Sequence, residues 1–391
     1  MKILAVNAGS SSLKFQLLHM PEERVLTSGI VERIGFDEAV FMIIVDDKKV
    51  SVTKPIIDHK VAVELLIDGL IQHQIIHSMD EIDGVGHRVV QGGETFKESV
   101  LIHDDIVQSI QALSPLAPLH NPANLTGIDA FRTLLPHVPH VAVFDTTFHQ
   151  SMPKENFLYA VPYDWYQSYG VRKYGFHGTS HQYVSQEARK LLQKEDAKII
   201  VLHMGNGVSL CAVDGDKSID TSMGLTPLEG VPMGTRSGNV DPAIIEFMTN
   251  NTEMTFEDVT SALNKDSGYL GLSGYSSDSR DIVNKMLEGD ERARLAHTVQ
   301  VKRICDYIGS YYVTLGGLDA IVFTAGIGEN APIVRKDIMN RLGVLGIQLD
   351  EEKNNTRGTT EISSASSKVK AFVIPTNEEV MIARDTVRLS K

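Results

Sequence analysis

Apolar positions along the chain follow two periods, and the switches between them outline the fold. Short runs such as Ile3-Leu4-Ala5-Val6, Ile199-Ile200-Val201-Leu202 and Ile321-Val322-Phe323 are rich in β-branched residues and end in glycine or small polar residues, which marks buried strands. Val61 to Ile76 and Ala188 to Gln193 carry helical spacing instead, and each precedes a strand run, Gly84 to Val90 and Ile199 to Leu202. This alternation predicts an α/β class. Ala293 to Tyr312 shows the dominant helical pattern, with Leu295, Val299, Ile304 and Ile308 expected on one stripe against an intramolecular core. Asp350 to Lys368, polar and ending in serines, reads as a surface loop or sheet edge.

Chemistry concentrates in the turns between these runs. Ile3 to Leu18 reads as two strands around Asn7-Ala8-Gly9-Ser10-Ser11-Ser12, a β-hairpin whose glycine admits an anion close to the backbone and whose Lys14 adds a point charge. It is not a P-loop, because that pattern leads from G-K-[ST] into a helix and here the chain returns as a strand. The design recurs at Ile199 to Val213 around His203-Met204-Gly205-Asn206-Gly207, which suggests duplicated halves. Phe323-Thr324-Ala325-Gly326-Ile327-Gly328-Glu329-Asn330-Ala331-Pro332 places glycines between a strand and a helix start, with Pro332 in the first helical turn. Taken alone, that segment also fits the G-x-G-x-x-A dinucleotide fingerprint, with Asp350 and Glu351 as ribose ligands. A dehydrogenase would carry the fingerprint in an early βαβ unit, however, and would not need two phosphate hairpins.

Composition narrows the choices. A chain of 391 residues exceeds the size of a single core, so two domains are expected. A net charge of −13 excludes a broad nucleic-acid surface, so an anionic substrate must meet locally clustered cations. The two cysteines, Cys211 and Cys305, lack metal spacing and suit a reducing cytoplasm; no apolar run is long enough for a membrane span and no signal peptide is expected. His177 and His181, four apart, together with His203 form a conceivable zinc set, although no glutamate stands between them as in H-E-x-x-H.

In order, Asn7 to Lys14, Gly86-His87-Arg88-Val89-Val90, Leu116-Ala117-Pro118-Leu119-His120-Asn121-Pro122, Phe144-Asp145-Thr146-Thr147-Phe148-His149, Tyr174 to His181, His203 to Gly207, Gly234-Thr235-Arg236-Ser237-Gly238, Gly326 to Asn330 and Pro375 to Glu379 resemble the acetate kinase family, within the superfamily of acetate and sugar kinases, Hsp70 and actin. The likeness spans the whole chain. It implies two duplicated RNase H-like domains, each a mixed sheet flanked by helices, with a cleft between them. The implied boundaries are 1–146 plus a returning helix 378–391 for the acyl-substrate and phosphate domain, and 147–377 for the nucleotide-binding domain.

The implied reaction is reversible, direct in-line transfer of the ATP γ-phosphoryl group to acetate, giving acetyl phosphate and ADP. Such transfer needs mainly positioning and compensation of negative charge. Arg88 would orient the acyl substrate, and His177 and Arg236 would stabilise the transition state, guanidinium groups being suited to bidentate contacts with carboxylate and phosphoryl oxygens. The resemblance assigns Asp145 an acid or base role. A carboxylic acid is already ionised at neutral pH, so Asp145 is expected instead to hold Mg²⁺ or its water, or to fix an arginine. Asn7 and Glu378 would bind Mg²⁺ or Mn²⁺, with Glu379 the rival to Glu378. Nucleotide contacts would fall on Ser10, Ser12, Lys14, His203, Met204, Gly205, Asn206, Gly207, Asp278, Ser279, Arg280, Gly326, Ile327, Gly328, Glu329 and Asn330; Ser276 to Asp281 also passes for a helix cap. Val90, Leu119 and Pro227 would line the acyl pocket, favouring acetate over propionate, and a homodimer is implied. Gln91 and Asn239 stand where the family often has His and Asp, the second with a bearing on how Arg236 is held. The alternatives are a propionate or broader short-chain carboxylate kinase and, in a different class, a nucleotide-dependent binding module of the Hsp70 and actin kind.

Overall fold

The structure, a computed structural model, describes residues 1–391. It divides into two compact units, Met1–Phe148 with Asn377–Lys391, and His149–Thr376. Strands of the first are β1 (Lys2–Ala8), β2 (Ser12–His19), β3 (Arg24–Glu32), β4 (Ala39–Val45), β5 (Lys48–Lys54), β6 (Gly84–Val89), β7 (Val100–Leu101) and β8 (His140–Phe144). Those of the second are β9 (Lys198–Met204), β10 (Val208–Asp214), β11 (Lys217–Thr221), β12 (Ala320–Thr324), β13 (Thr360–Glu361) and β14 (Lys370–Val373).

The duplication expected from two glycine hairpins is written in the strand order. The first sheet runs β5-β4-β3-β2-β1-β6-β8-β7 and the second β11-β10-β9-β12-β14-β13. Setting β1 on β9 aligns an antiparallel hairpin, two parallel strands and a short antiparallel edge in each, with the same chain order throughout. The first sheet then adds β4 and β5, an antiparallel extension.

Alternation fixes which face of each strand meets which helix. Leu4, Val6 and Val85 point into a core with Ala62, Leu66 and Leu70 of helix His59–Gln72 and Phe131 near the end of helix Asn121–Leu134. Gly84 and Gly86, on the opposite face of β6, meet the helix Glu378–Leu389, and a β-carbon on Gly86 would collide with Ile382 and Thr386. In the second unit β12 is wholly buried, with helices Gly178–Leu192 and Glu291–Leu315 among those flanking its sheet.

Two local expectations change. The buried face of helix Glu291–Leu315 is Ala293, Ala296, His297, Gln300, Val301, Ile304, Ile308, Tyr311 and Leu315, while Leu295 is exposed. The steps 293, 296/297, 300/301, 304 keep a helical period, whereas Leu295 lies more than a residue out of phase with it. After β12 the glycines do not form an open turn: Ala325, at φ +63°, makes the reversal, Gly326 and Gly328 lie in the short helix Ala325–Asn330, and Pro332 opens the next helix, Pro332–Arg341. The polar segment after Asp350 is a sheet edge, contributing β13 and the bridge Leu349–Ser363.

Candidate active site

In the first unit, polar groups collect where strands end, the usual place for ligands in α/β sheets. Asn7 pairs in register with Lys14 across β1 and β2, Arg88 stands near the end of β6, and Asp145 follows the last residue of β8. Arg88 donates from Nε to Asp145 Oδ1 at 2.8 Å and from Nη2 to Oδ2 at 2.6 Å, a two-pronged pair with the carboxylate almost fully buried. Burial opposes the Arg88 charge, but Asp145 outweighs it and holds the guanidinium more firmly protonated than usual. Asp145 is thus paired with Arg88 through both carboxylate oxygens.

Glu378 begins the helix Glu378–Leu389, whose first turn is capped by Asn377 accepting from Val380 N at 3.1 Å. Its Oε2 lies 3.9 Å from Arg88 Nε. Burial raises its pKa above the ordinary carboxylate range; Arg88 and Lys14 pull the other way, and Asp145 and Glu379 add to the rise. A cation beside the carboxylate would oppose that rise. No three His, Cys, Asp or Glu side chains converge as a ready-made cage. Mg²⁺ takes oxygen ligands, keeps several waters and needs only one or two protein contacts.

The segment after β6 is held by buried amides that the sequence did not single out as functional. Asn124 accepts from Val90 N at 3.1 Å and donates to Ala8 O at 2.8 Å, tying the β6 end to the first hairpin. Asn121 exchanges two hydrogen bonds with the backbone of Gln91, and Gln91 Oε1 accepts from Gly93 N at 2.9 Å. Gln91 is thus a structural residue of this bend. Val90 is buried, whereas Leu119 is 74% exposed. In the hairpin, Gly9 N donates to Ser12 O at 2.8 Å, closing the turn that carries Ser10, and His59 Nε2 lies 2.7 Å from Gly9 O.

The second unit assembles its groups around the β9–β10 turn. Gly205 N donates to Gly207 O at 3.0 Å and Gly234 N to Asn206 O at 3.0 Å, so the turn and the Gly234–Gly238 loop are laced together. A β-carbon built on Gly207 would lie 3.4 Å from Arg236 Nη1 and 3.8 Å from His177 Nε2, so both donors converge on the space beside that glycine. Arg236 Nη1 donates to Pro227 O at 3.2 Å and touches Met233 Sδ at 3.7 Å; it has no acidic partner, and burial lowers its pKa. A partly buried cation without a counter-ion is costly and suits an anionic ligand. No hydrogen bond joins Asn239 to it. Its Oδ1 accepts from Gly230 N at 2.8 Å and its Nδ2 donates to Tyr307 Oη at 2.8 Å.

His177 precedes helix Gly178–Leu192 at φ +56°, a left-handed conformation uncommon for a side-chain-bearing residue and frequent at functional sites. Its ring stacks on His203 with centroids 4.0 Å apart. Nδ1 of His177 lies 2.9 Å from Ser209 Oγ, which is also 2.7 Å from Nε2 of His181. His203 Nδ1 lies 2.8 Å from Ser180 Oγ, itself 2.7 Å from Thr376 Oγ1. These contacts remove the zinc reading. His177 sits outside the helix that carries His181, so the two rings do not share its face, and both are engaged by one serine. Ser180, Ser209 and Thr376 were missed as functional neighbours because no local pattern distinguishes them from ordinary strand and cap hydroxyls.

A cavity of about 840 Å³ opens beside the same turn, lined in part by Asn206, Asp278, Val283, Gly326, Ile327 and Ile333. Gly205, Ser279, Arg280 and Asn330 line it too, whereas His203, Met204, Gly207 and Gly328 of the expected nucleotide residues do not, Met204 being fully buried. Asp278 is also the helix cap its context suggested, accepting from Arg280 N at 2.8 Å at the start of helix Ser279–Leu287. Glu329 does not line the cavity; its Oε1 accepts from Thr376 N at 3.2 Å.

A sequence profile of the acetokinase family matches residues 2–384. The chain belongs to the acetokinase family. Over 390 residues it is 64% identical to the acetate kinase of Acholeplasma laidlawii (strain PG-8A), covering 100% of this chain and 99% of that one. Among solved structures of the family, Porphyromonas gingivalis acetate kinase matches with a TM-score of 0.95 at 44% identity and 100% coverage of both chains. A propionate kinase from Francisella tularensis subsp. tularensis SCHU S4 matches with a TM-score of 0.94 at 42% identity, covering 99% of each chain. Within this acetokinase fold no helix is long and apolar enough to cross a membrane.

Proposed function

We propose that this protein is an acetate kinase, transferring the ATP γ-phosphoryl group reversibly to acetate by direct in-line attack. The observation that carries the reading is Arg236 without a counter-ion, converging with His177 on the space beside Gly207. Phosphoryl transfer asks the protein for little beyond position and compensation of charge on the equatorial oxygens. Arg236 and His177 supply donors for those oxygens, and the backbone of the Gly205–Gly207 turn permits close approach of the phosphate chain. The cavity takes the nucleoside, its apolar wall of Val283, Ile327 and Ile333 suiting a flat base and its Asp278 and Asn330 offering polar contacts.

Arg88, oriented by Asp145, takes the acetate carboxylate, which attacks as the anion without a base. Asn7 and Glu378 hold Mg²⁺, whose charge, when bound, offsets that of the phosphates. Buried Val90 limits the acyl pocket and gives acetate the preference over propionate, a discrimination of about 1–3 kcal/mol per methylene. Ser10, Ser12 and Lys14 contact phosphate from the first hairpin. The protein acts as a cytoplasmic homodimer, testable by light scattering.

The test is ADP release from MgATP with acetate, propionate, butyrate or no acid, trapping acyl phosphate as its hydroxamate, for wild type and Arg236→Ala. Hydroxamate formed fastest with acetate, and lost in the variant, supports the reading. ADP released without hydroxamate overturns it in favour of a nucleotide-driven binding module.

A further inference from the structure

His177 can donate to a phosphoryl oxygen through Nε2 only if that nitrogen carries the proton, and at neutral pH an imidazole chooses between two tautomers. The choice is set by what meets Nδ1. Here Nδ1 meets Ser209 Oγ at 2.9 Å, and the same hydroxyl meets His181 Nε2 at 2.7 Å. A hydroxyl has one proton to give, so the two histidines cannot both accept from it.

The environment of His181 breaks the tie. Its ring is fully buried, and its Nδ1 has no hydrogen-bond partner. Burial drives its pKa well below the usual value, with His149 and His203 adding to the effect, so the ring is neutral and carries one proton. With the proton on Nδ1, a buried N–H would be orphaned; with it on Nε2, only a lone pair is left unmet. Orphaned buried N–H groups are the rarer and costlier of the two.

We propose that His181 and Ser209 are positioning residues that fix the tautomer of His177. His181 Nε2–H donates to Ser209 Oγ, the Ser209 hydroxyl donates to His177 Nδ1, and the proton of His177 therefore resides on Nε2, the nitrogen beside the Gly207 space it shares with Arg236. Stacking on His203 at 4.0 Å keeps the ring in that orientation. The relay thus ensures that the neutral ring offers a donor, rather than a lone pair, to an anionic ligand. This rests on the kinase reading for its catalytic consequence, but the tautomer itself does not.

The experiment has two arms. Selective [¹⁵N]histidine labelling of the full chain, with His177 assigned through His177→Gln, reports the tautomer directly at pH 8. The expected spectrum shows Nε2–H at His177 in wild type and loss of that single tautomer in Ser209→Ala. In the kinetic arm, Ser209→Ala lowers kcat by about 10- to 100-fold with KM for ATP and acetate changed less than about threefold. Ser209→Thr restores the hydroxyl and most of kcat; His181→Gln, whose amide can donate from the Nε2 position, retains more activity than His181→Phe. A wild-type His177 protonated on Nδ1 overturns the proposal, as does a folded Ser209→Ala enzyme with unchanged kcat. If the variants fail to fold, the wild-type spectrum alone decides. A wild type that forms no acyl phosphate would instead refute the kinase reading and leave the tautomer assignment standing.

Discussion

If Asp145 works by holding Arg88, then removing either should disable the same function, and removing both should cost little more than removing one. The pair is joined by two charge-assisted hydrogen bonds of 2.8 and 2.6 Å, with 2% of the Asp145 side chain and 21% of Arg88 accessible. Breaking a buried pair costs about 3–5 kcal/mol, and the partial exposure of Arg88 brings this to about 2–4 kcal/mol. In Asp145→Asn one oxygen can still accept, but the amide nitrogen faces a guanidinium donor, and Arg88 is free to swing toward Glu378, whose Oε2 is 3.9 Å away. Taking the same ~2–4 kcal/mol as the transition-state stabilisation forfeited when Arg88 loses its orientation, at about 1.36 kcal/mol per decade, the expected loss in kcat/KM for acetate is roughly 30- to 1,000-fold. Arg88→Ala should lose at least as much. The double variant decides the mechanism: under the positioning reading it falls no more than about tenfold below the worse single variant, because the residues act as a unit. The assay is hydroxamate formation at varied acetate and saturating MgATP, with thermal unfolding run alongside to confirm that each variant is folded. A double variant whose loss reaches the product of the two single losses would refute the reasoning and give Asp145 a role of its own in acid–base chemistry or metal binding.

Gly207→Ala should lower kcat by more than about 100-fold while changing stability by less than about 1 kcal/mol, since the added methyl meets its neighbours at ordinary contact distance, 3.4 Å and beyond, but fills the space that Arg236 and His177 share; wild-type activity would show that no ligand uses that space. Asn239→Asp should leave activity within about threefold, because Oδ1 can still accept from Gly230 N and Tyr307 can reverse its hydroxyl to donate; a larger change would reveal a link to Arg236. His87 and His140 share a 3.0 Å hydrogen bond in the first unit, and burial lowers both pKa values. Their unfolded forms bind protons that the folded ones resist, so their contribution is fully present above about pH 6.5 and is lost as pH falls through that value, by up to about 1.4 kcal/mol per histidine per pH unit. Urea unfolding at pH 7.5 and 5.5 should register the loss, and His87→Phe should reduce it.

Much of this fold could be read from apolar period and turn chemistry. Both glycine hairpins are antiparallel pairs where Ile3–Leu18 and Ile199–Val213 predicted them, and the helix His59–Gln72 falls on Val61–Ile76. Leu295 was misjudged because hydrophobicity alone does not fix phase; small and polar residues such as Ala293, Ala296, His297 and Gln300 occupy the buried face. The short helix Ala325–Asn330 was hidden because glycines usually signal a turn, while the residue that makes the turn is Ala325. In the site, Arg88, His177 and Arg236 were singled out through the family resemblance, each on a motif several residues long. The hydroxyl and amide groups around them, Ser209, Ser180, Asn121 and Asn124, were not, since the partners described for them lie 23 to 196 positions away in sequence.

The first unit is interrupted in sequence by the whole of the second and is completed only by Asn377–Lys391. A ribosome therefore finishes every strand of the second sheet before it delivers the helix whose Ile382 and Thr386 cover the glycine face of β6. Until that helix emerges, β6 shows bare backbone at Gly84 and Gly86 and the Arg88–Asp145 pair lacks Glu378 beside it. The nascent chain thus has a built β9–β10 turn well before it has the carboxylate proposed to bring in metal, so the order of synthesis alone delays completion of the first unit's polar cluster until the helix Glu378–Leu389 is made.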